Sequence, residues 1–261
     1  MNGWVPDLEG PLIPYPQHIL DLLEPRLATD AVAVLDREAA LTYRQLGAAS
    51  AGIAAALRGR GVATGEAVIV HARNSRWAVV GMLGVLRAGA RYVPVDAAFP
   101  IQRQQHLAAA SGARIAVVEP DLPMPLGRFD TVTVDGRHPV GATTRGPLAY
   151  TCYTSGSTGL PKGVTISAAA LAYSTAARLA YYPRPVTTFL LSSSISFDSS
   201  VAGIYWTLAS GGTLVIPSDR TTDLVALGRA AHRHAASHLL MVPSLYGIAL
   251  RGGLAGQLRS L

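Results

Sequence analysis

Residues 148–164 read LAYTCYTSGSTGLPKGV, and the fold and chemistry of the chain turn on that stretch. Leu148 to Tyr153 reads as a strand, which runs into Thr154-Ser155-Gly156-Ser157-Thr158-Gly159 and then Leu160-Pro161-Lys162-Gly163. Glycines at 156, 159 and 163 permit positive φ and let the backbone approach a bulky ligand closely. The hydroxyls of Thr154, Ser155, Ser157 and Thr158, together with the loop amides, can donate to phosphate oxygens. Lys162 adds a compact positive charge that demands no bidentate geometry. The set suits an anionic, oxygen-rich ligand such as a triphosphate. It is not a Walker A loop, which needs Gly immediately before Lys and Ser or Thr after it; here Pro161 precedes and Gly163 follows. Nor is it a dinucleotide fingerprint. The competing reading is a solvated turn of Gly, Ser and Thr, a common composition, though one rarely followed by Pro-Lys-Gly after a strand.

Composition singles out the same lysine. Of 22 Lys and Arg residues, Lys162 is the only lysine. A chain that uses arginine's planar fork everywhere else keeps a point charge on a flexible stem at this one place. Codon bias with one chance survivor is the bland alternative.

Outward from the loop, the pattern alternates strand-like and helical segments. Upstream, helices are expected over Pro16–Leu27, Tyr43–Arg58 with Thr42 as N-cap, Ser75–Arg87 and Pro100–Ala110. Strands are expected at Ala31–Leu35, Ala67–His71, Tyr92–Val95, Arg114–Val118 and, briefly, Thr131–Val134. Downstream come helices at Ser167–Ala180, Ser199–Ala209, Thr222–His234 and from Pro243, with strands at Thr188–Ser192, Gly212–Ile216 and His238–Val242. Strands separated by helices of this length predict an α/β fold with mostly parallel sheets flanked by helices. No internal repeat or low-complexity linker interrupts it. The final residues, GGLAGQLRSL, leave a helix through glycines and begin a strand at Leu258. The chain is therefore expected to stop inside its domain, with uncovered sheet edges and poor solubility.

Hydrophobic residues make up 49% and charged residues 15%, which is globular and not disordered. The apolar run Trp77–Leu86 is too short to cross a bilayer, so no membrane role is expected. The net charge of +6 comes from arginines scattered singly, which argues against nucleic acid. A single cysteine, Cys152, and no basic-then-apolar leader fit a cytoplasmic protein, and that thiol is read as an inert core group. His232, His234 and His238 do not share a face on the expected elements, and no metal site is expected.

The loop resembles the phosphate-binding loop of the adenylate-forming superfamily, to which nonribosomal peptide synthetase adenylation domains, acyl-CoA synthetases and luciferases belong. Other segments resemble the family in the right order: LTYRQL (41–46), LRAGARYVPVD (86–96) and SFDSS (196–200). The resemblance covers the chain from about Pro16 onward and implies that residues 1–261 are the N-terminal part of an AMP-binding adenylation domain. In the family a carboxylate attacks the α-phosphate of Mg-ATP to give an acyl-adenylate and pyrophosphate, and the acyl group then passes to a thiol, often on a phosphopantetheine carrier protein. By resemblance Thr154, Ser155, Gly156, Ser157, Thr158, Gly159, Lys162 and Gly163 hold the ATP phosphates, with Lys162 and Thr158 stabilising charge on the departing pyrophosphate. Asp198, beside Phe197, matches the carboxylate that pairs with the substrate's α-ammonium in amino-acid-activating members; capping of the following helix is a compatible second role. Ser199, Ala202 and Met241 then line an apolar or mixed side-chain pocket.

The resemblance is incomplete. The family's Tyr-Gly-Pro-Thr-Glu-like block, its ribose-binding Asp and its C-terminal lid lysine have no counterpart here. Ala168-Ala169 stands where relatives commonly have His-Arg. The readings are an amino-acid-activating ligase using ATP and Mg2+ and inactive as this fragment, an acyl- or aryl-CoA ligase, or a non-catalytic remnant or half of a split enzyme needing a complementary C-terminal polypeptide.

Overall fold

The structure, a computed structural model, describes residues 15–136, 138–154 and 161–251. The first half of the chain forms α1 (Ile19–Leu23), β1 (Val32–Leu35), β2 (Ala40–Thr42), α2 (Tyr43–Gly59), β3 (Ala67–Ala72), α3 (Arg76–Arg87), β4 (Arg91–Asp96), α4 (Ile101–Ala110), β5 (Ile115–Val118) and β6 (Asp130–Thr133). The second half forms β7 (Leu148–Thr154), β8 (Lys162–Ser167), α5 (Ala168–Tyr181), β9 (Thr188–Leu190), α6 (Asp198–Ser210), β10 (Thr213–Val215), α7 (Leu224–Arg233), β11 (His238–Leu239) and α8 (Pro243–Arg251).

The strands make two sheets. One has five strands in the order β11-β9-β10-β1-β2, the other six in the order β6-β5-β3-β4-β7-β8. Pairing is parallel throughout except at one edge of each, where β1–β2 and β7–β8 are antiparallel. The expected mostly parallel α/β architecture is therefore present as two sheets. β3, AVIVHA, is buried along its whole length, as a central parallel strand covered on both faces must be.

Local chemistry sets the helix boundaries. Thr42 and Gln45 form a reciprocal capping box at the start of α2. α2 and α3 pack so closely that a Cβ at Gly84 would lie 2.6 Å from Ile53, so only glycine permits that approach. α6 ends at Gly211, which takes the left-handed conformation (φ 81°). One apolar core containing Leu46, Ile53, Leu83, Tyr92, Ile204 and Leu214 joins the helices to both sheets.

Some boundaries differ from expectation. α1 covers only Ile19–Leu23: the Nδ1 of His18 caps it, accepting from the Leu20 amide at 3.2 Å, and Pro25 follows its end without an N–H to continue the ladder. β2 has no clear sequence signal; Asp36 creates it by accepting from the amides of Glu38 and Ala39, each at 3.0 Å, and folding the chain back. The strand at 238 is two residues long, and the preceding helix begins at Leu224 because Asp223 caps it. The strand expected at Leu258 lies outside the described residues. No helix among the described residues is long and apolar enough to cross a membrane.

Two buried histidines give the fold a pH dependence. His71 on β3 is buried, with its Nε2 2.9 Å from the Oε1 of Gln104, and His18 is buried at the α1 cap. Burial holds both pKa values below 6.5, outweighing the Gln104 hydrogen bond at His71 and the neighbouring carboxylates at both rings. A depressed histidine binds its proton more readily unfolded than folded. Stability is thus intact above pH 6.5 and declines as pH falls from 6.5 through the lower native values. Thermal melting at pH 7.5 and 5 should show this decline, and His71→Gln should reduce it.

Candidate active site

The hydroxyl-rich loop joins the two strands of an antiparallel hairpin. β7 and β8 pair in register from Cys152–Val164 through Tyr153–Gly163 to Thr154–Lys162. Thr154 and Lys162 therefore face each other at the two feet of the connection, and both are exposed. Ser155, Gly156, Ser157, Thr158 and Gly159 lie outside the described residues. The sequence pattern carries the loop through Gly163; instead a strand begins at Lys162, because Val164-Thr165-Ile166 supplies β-branched residues to pair back along β7. The side-chain oxygens of Thr151 and Thr165 meet across this pair at 2.8 Å. At Gly163 an added Cβ would lie 3.1 Å from the Tyr153 ring, so the residue after the lysine keeps the strand close to its partner.

The Phe197-Asp198 segment is held by a clasp between the two sheets. β9 is followed by Leu191-Ser192-Ser193-Ser194-Ile195-Ser196, and most of these serines are buried. Asn74, just beyond β3, donates its side-chain amide to the Ser193 carbonyl at 2.9 Å and accepts from the Ile195 amide at 3.0 Å. Asp96, at the end of β4, accepts from the Ser194 hydroxyl, and its own amide donates to the Ser196 hydroxyl oxygen at 3.0 Å. Burial pushes the Asp96 carboxyl above the usual carboxylate range, against the pull of Ser194 and the Ala98 amide. Asn74, Asp96, Ser194 and Ser196 are site residues that sequence reasoning misses. The only signal for them is the serine-rich run itself, with Asp96 closing the VPVD segment.

Asp198 is the first residue of α6, where the helix dipole favours a carboxylate. Phe197 occupies the cap position and Asp198 is the first helical residue, so the capping role weighed for Asp198 is not seen, and among the described residues its side chain has no hydrogen-bond partner. The Phe197 ring is 45% exposed and lies edge-on to Phe99 at 6.2 Å, with the Arg103 guanidinium 3.9 Å above Phe99. Asp198 and Ser199 line two cavities that meet at the helix start. One, of about 500 Å³, lies between α5 and α6 and is also lined by Tyr150, Arg178 and Ala202. The other, of about 490 Å³, runs past Phe197 to Val242 and Leu245 near α8. Met241 lines neither; it packs, partly buried, against the cluster of Leu190, Val215 and Leu227.

Burial pushes the Tyr150 phenol up to about 12; the nearby charge of Asp198 adds to the shift, and that of Arg178 opposes it. Burial, then Asp198, also pushes the Cys152 thiol up to about 12, which leaves it inert as a nucleophile at neutral pH. Among the described residues no group of three His, Cys, Asp or Glu side chains could hold a metal ion. His238 packs edge-on against Trp206 at 4.9 Å.

The feet of the hairpin thus carry a hydroxyl and an ammonium, and the cavity lined by Asp198 is also lined by Tyr150 of β7 and Ile166 of β8. A variant of the nonribosomal peptide synthetase FmoA3 shares the fold with TM-score 0.79 and 26% identity, covering 94% of this chain and 27% of that one. Its alpha-methyl-L-serine-AMP bound form gives 0.80 and 26%, covering 92% and 28%. Among curated relatives, pyochelin synthetase PchE of Pseudomonas aeruginosa (strain UCBPP-PA14) is 36% identical over 231 residues, 85% of this chain and 16% of that protein. Tyrocidine synthase 3 of Brevibacillus parabrevis is 34% identical over 233 residues, again 85% of this chain. The chain spans only 4% of that synthase, so it matches a small part of each of these proteins. A sequence profile described as AMP-binding enzyme matches residues 25–260, and the chain belongs to that family.

Proposed function

We propose that these residues form the ATP-phosphate and amino-acid-recognition part of an adenylation domain, which activates an amino acid as its aminoacyl-adenylate. The observation that carries this reading is Asp198, a carboxylate at a helix start on the wall of a cavity that also holds apolar and hydroxyl groups. A ligand that covered such a carboxylate would have to offer a cation, and the α-ammonium of an amino acid does. A fatty or aryl acid would leave the carboxylate unpaired.

In the proposed reaction the substrate carboxylate oxygen bonds to the α-phosphorus of ATP as the bond to the β-phosphate oxygen breaks. Pyrophosphate leaves with the electron pair. Lys162, Thr154 and the loop residues Ser155 to Gly159 stabilise the charge that gathers on it, and Gly163 lets the hairpin pack beneath them. Magnesium would arrive on the triphosphate and draw charge from its oxygens; no described residue is assigned to it. Phe197, Ser199 and Ala202 shape the amino-acid side of the site, with Met241 supporting it from behind. The family's adenine, ribose and lid-lysine blocks have no counterpart in the 261 residues, so the activity is proposed for these residues acting with such blocks and not for the fragment alone. A phosphopantetheine carrier thiol is the proposed acceptor.

The test is ATP–pyrophosphate exchange by these residues joined to the family's adenine, ribose and lid-lysine blocks, supplied in turn with the proteinogenic amino acids, benzoates and fatty acids. Exchange driven by an amino acid supports the reading. Exchange confined to benzoates or fatty acids would sink it.

A further inference from the structure

From the cavity beside Asp198 we infer that the amino acid carries an acidic side chain, whose carboxylate is received by Arg178. The inference rests on the amino-acid reading above and names the substrate class of that same site. Of the described residues lining the cavity between α5 and α6, Asp198 is the only carboxylate and Arg178 the only cation. Both act on the Tyr150 phenol from the same space. An amino acid whose ammonium sits on Asp198 therefore has one complementary charge left to meet.

Arg178 is held but not neutralised. One of its terminal nitrogens donates to the Ser174 carbonyl at 2.8 Å and to the Ser174 hydroxyl at 2.5 Å, which fixes the guanidinium from the α5 side. Among the described residues it has no carboxylate partner. Arg37, Arg44, Arg60, Arg73, Arg76, Arg114 and Arg145 each have one; Arg178, like Arg58, Arg91 and Arg103, does not, but of these it is the one that lines this cavity.

Ala202 makes the reach possible. It lines this cavity and also a second one of about 560 Å³, and Arg178 and Leu240 line both. A large side chain at position 202 would stand between the two spaces. With alanine there, a side chain extending from Asp198 passes along α6 toward the guanidinium. The second cavity adds the exposed Arg184 and the Trp206 ring, so its described lining is cationic and aromatic and includes no acid. Arginine's fork suits a carboxylate, which it can receive through two parallel hydrogen bonds.

Glutamate and glutamine are nearly isosteric and differ by one charge, so they isolate the claim. The full-length protein would be titrated with the sulfamoyl-adenosine analogues of glutamate and glutamine, and of 2-aminoadipate and norleucine, with affinity read by calorimetry. The glutamate or 2-aminoadipate analogue should bind at least tenfold more tightly than its neutral counterpart. Arg178→Ala should erase that ratio, and Arg178→Lys should restore part of it with melting temperature unchanged. Equal or reversed preference in the unmodified protein overturns the proposal, as does an acid preference that survives Arg178→Ala. If neutral aminoacyl analogues win, the amino-acid reading survives and this inference fails. If only benzoyl or fatty-acyl analogues bind, both fail together.

Discussion

Asp198→Ala in the full-length chain is expected to abolish amino-acid-dependent exchange while leaving the fold intact. The two parts of that result have separate causes. Once substrate covers the site, removing the carboxylate leaves an ammonium without a counter-charge. Losing one member of such a pair costs about 2–5 kcal/mol, or roughly 30- to 5000-fold in affinity. The fold does not depend on this side chain: it makes no hydrogen bond at the start of α6, and Phe197 holds the cap position. Only its interaction with the helix dipole is lost, worth about 0.3–1 kcal/mol. A normal melting temperature with KM for the amino acid raised beyond measurement is therefore expected. Asp198→Asn should fail nearly as badly, because an amide cannot balance the ammonium. Unchanged exchange in both variants would remove the central support for amino-acid recognition.

The second large effect is expected at Lys162. Its charge lies at the foot of the β7–β8 connection, opposite Thr154, where a triphosphate tail would rest. Loss of a preorganised charge aimed at a leaving group costs about 10²–10³ in rate. Lys162→Ala should lower kcat by this order and weaken ATP, with little change in amino-acid KM. Arginine at the same position should rescue only part of the activity, since its fork cannot mimic a point charge. Thr158→Ala should give a smaller loss of the same kind. Wild-type ATP consumption by the Lys162 and Thr158 variants would dismiss the phosphate role of this loop. Steady-state kinetics with each substrate varied in turn separates these outcomes from those at Asp198.

Much of this arrangement is legible in the sequence because it is local. The capping of α2 by Thr42, the buried run of β3 and the strand that leads into the hydroxyl-rich loop each declare themselves within a few residues. Where the sequence misleads, the deciding contact is remote or the pattern is diluted. β8 reads as loop because glycines and a proline precede it and its own burial is slight. The clasp beneath Phe197 joins Asn74 to Ser193 across 119 positions and Asp96 to Ser194 across 98, and no window of residues reveals that. Serines in a row look like surface; only the folded chain shows them buried against Asn74 and Asp96. Ala202 and Arg178 lie on different helices, and their shared cavity exists only after α5 and α6 pack.

That clasp has a thermodynamic corollary. Because Asp96 ends β4 and Asn74 follows β3 in the sheet that carries the β7–β8 hairpin, the spacing between the proposed phosphate and ammonium positions is set when the chain folds. Neither ligand need rearrange the frame to make room for the other. Within these residues the two should associate in random order with additive free energies.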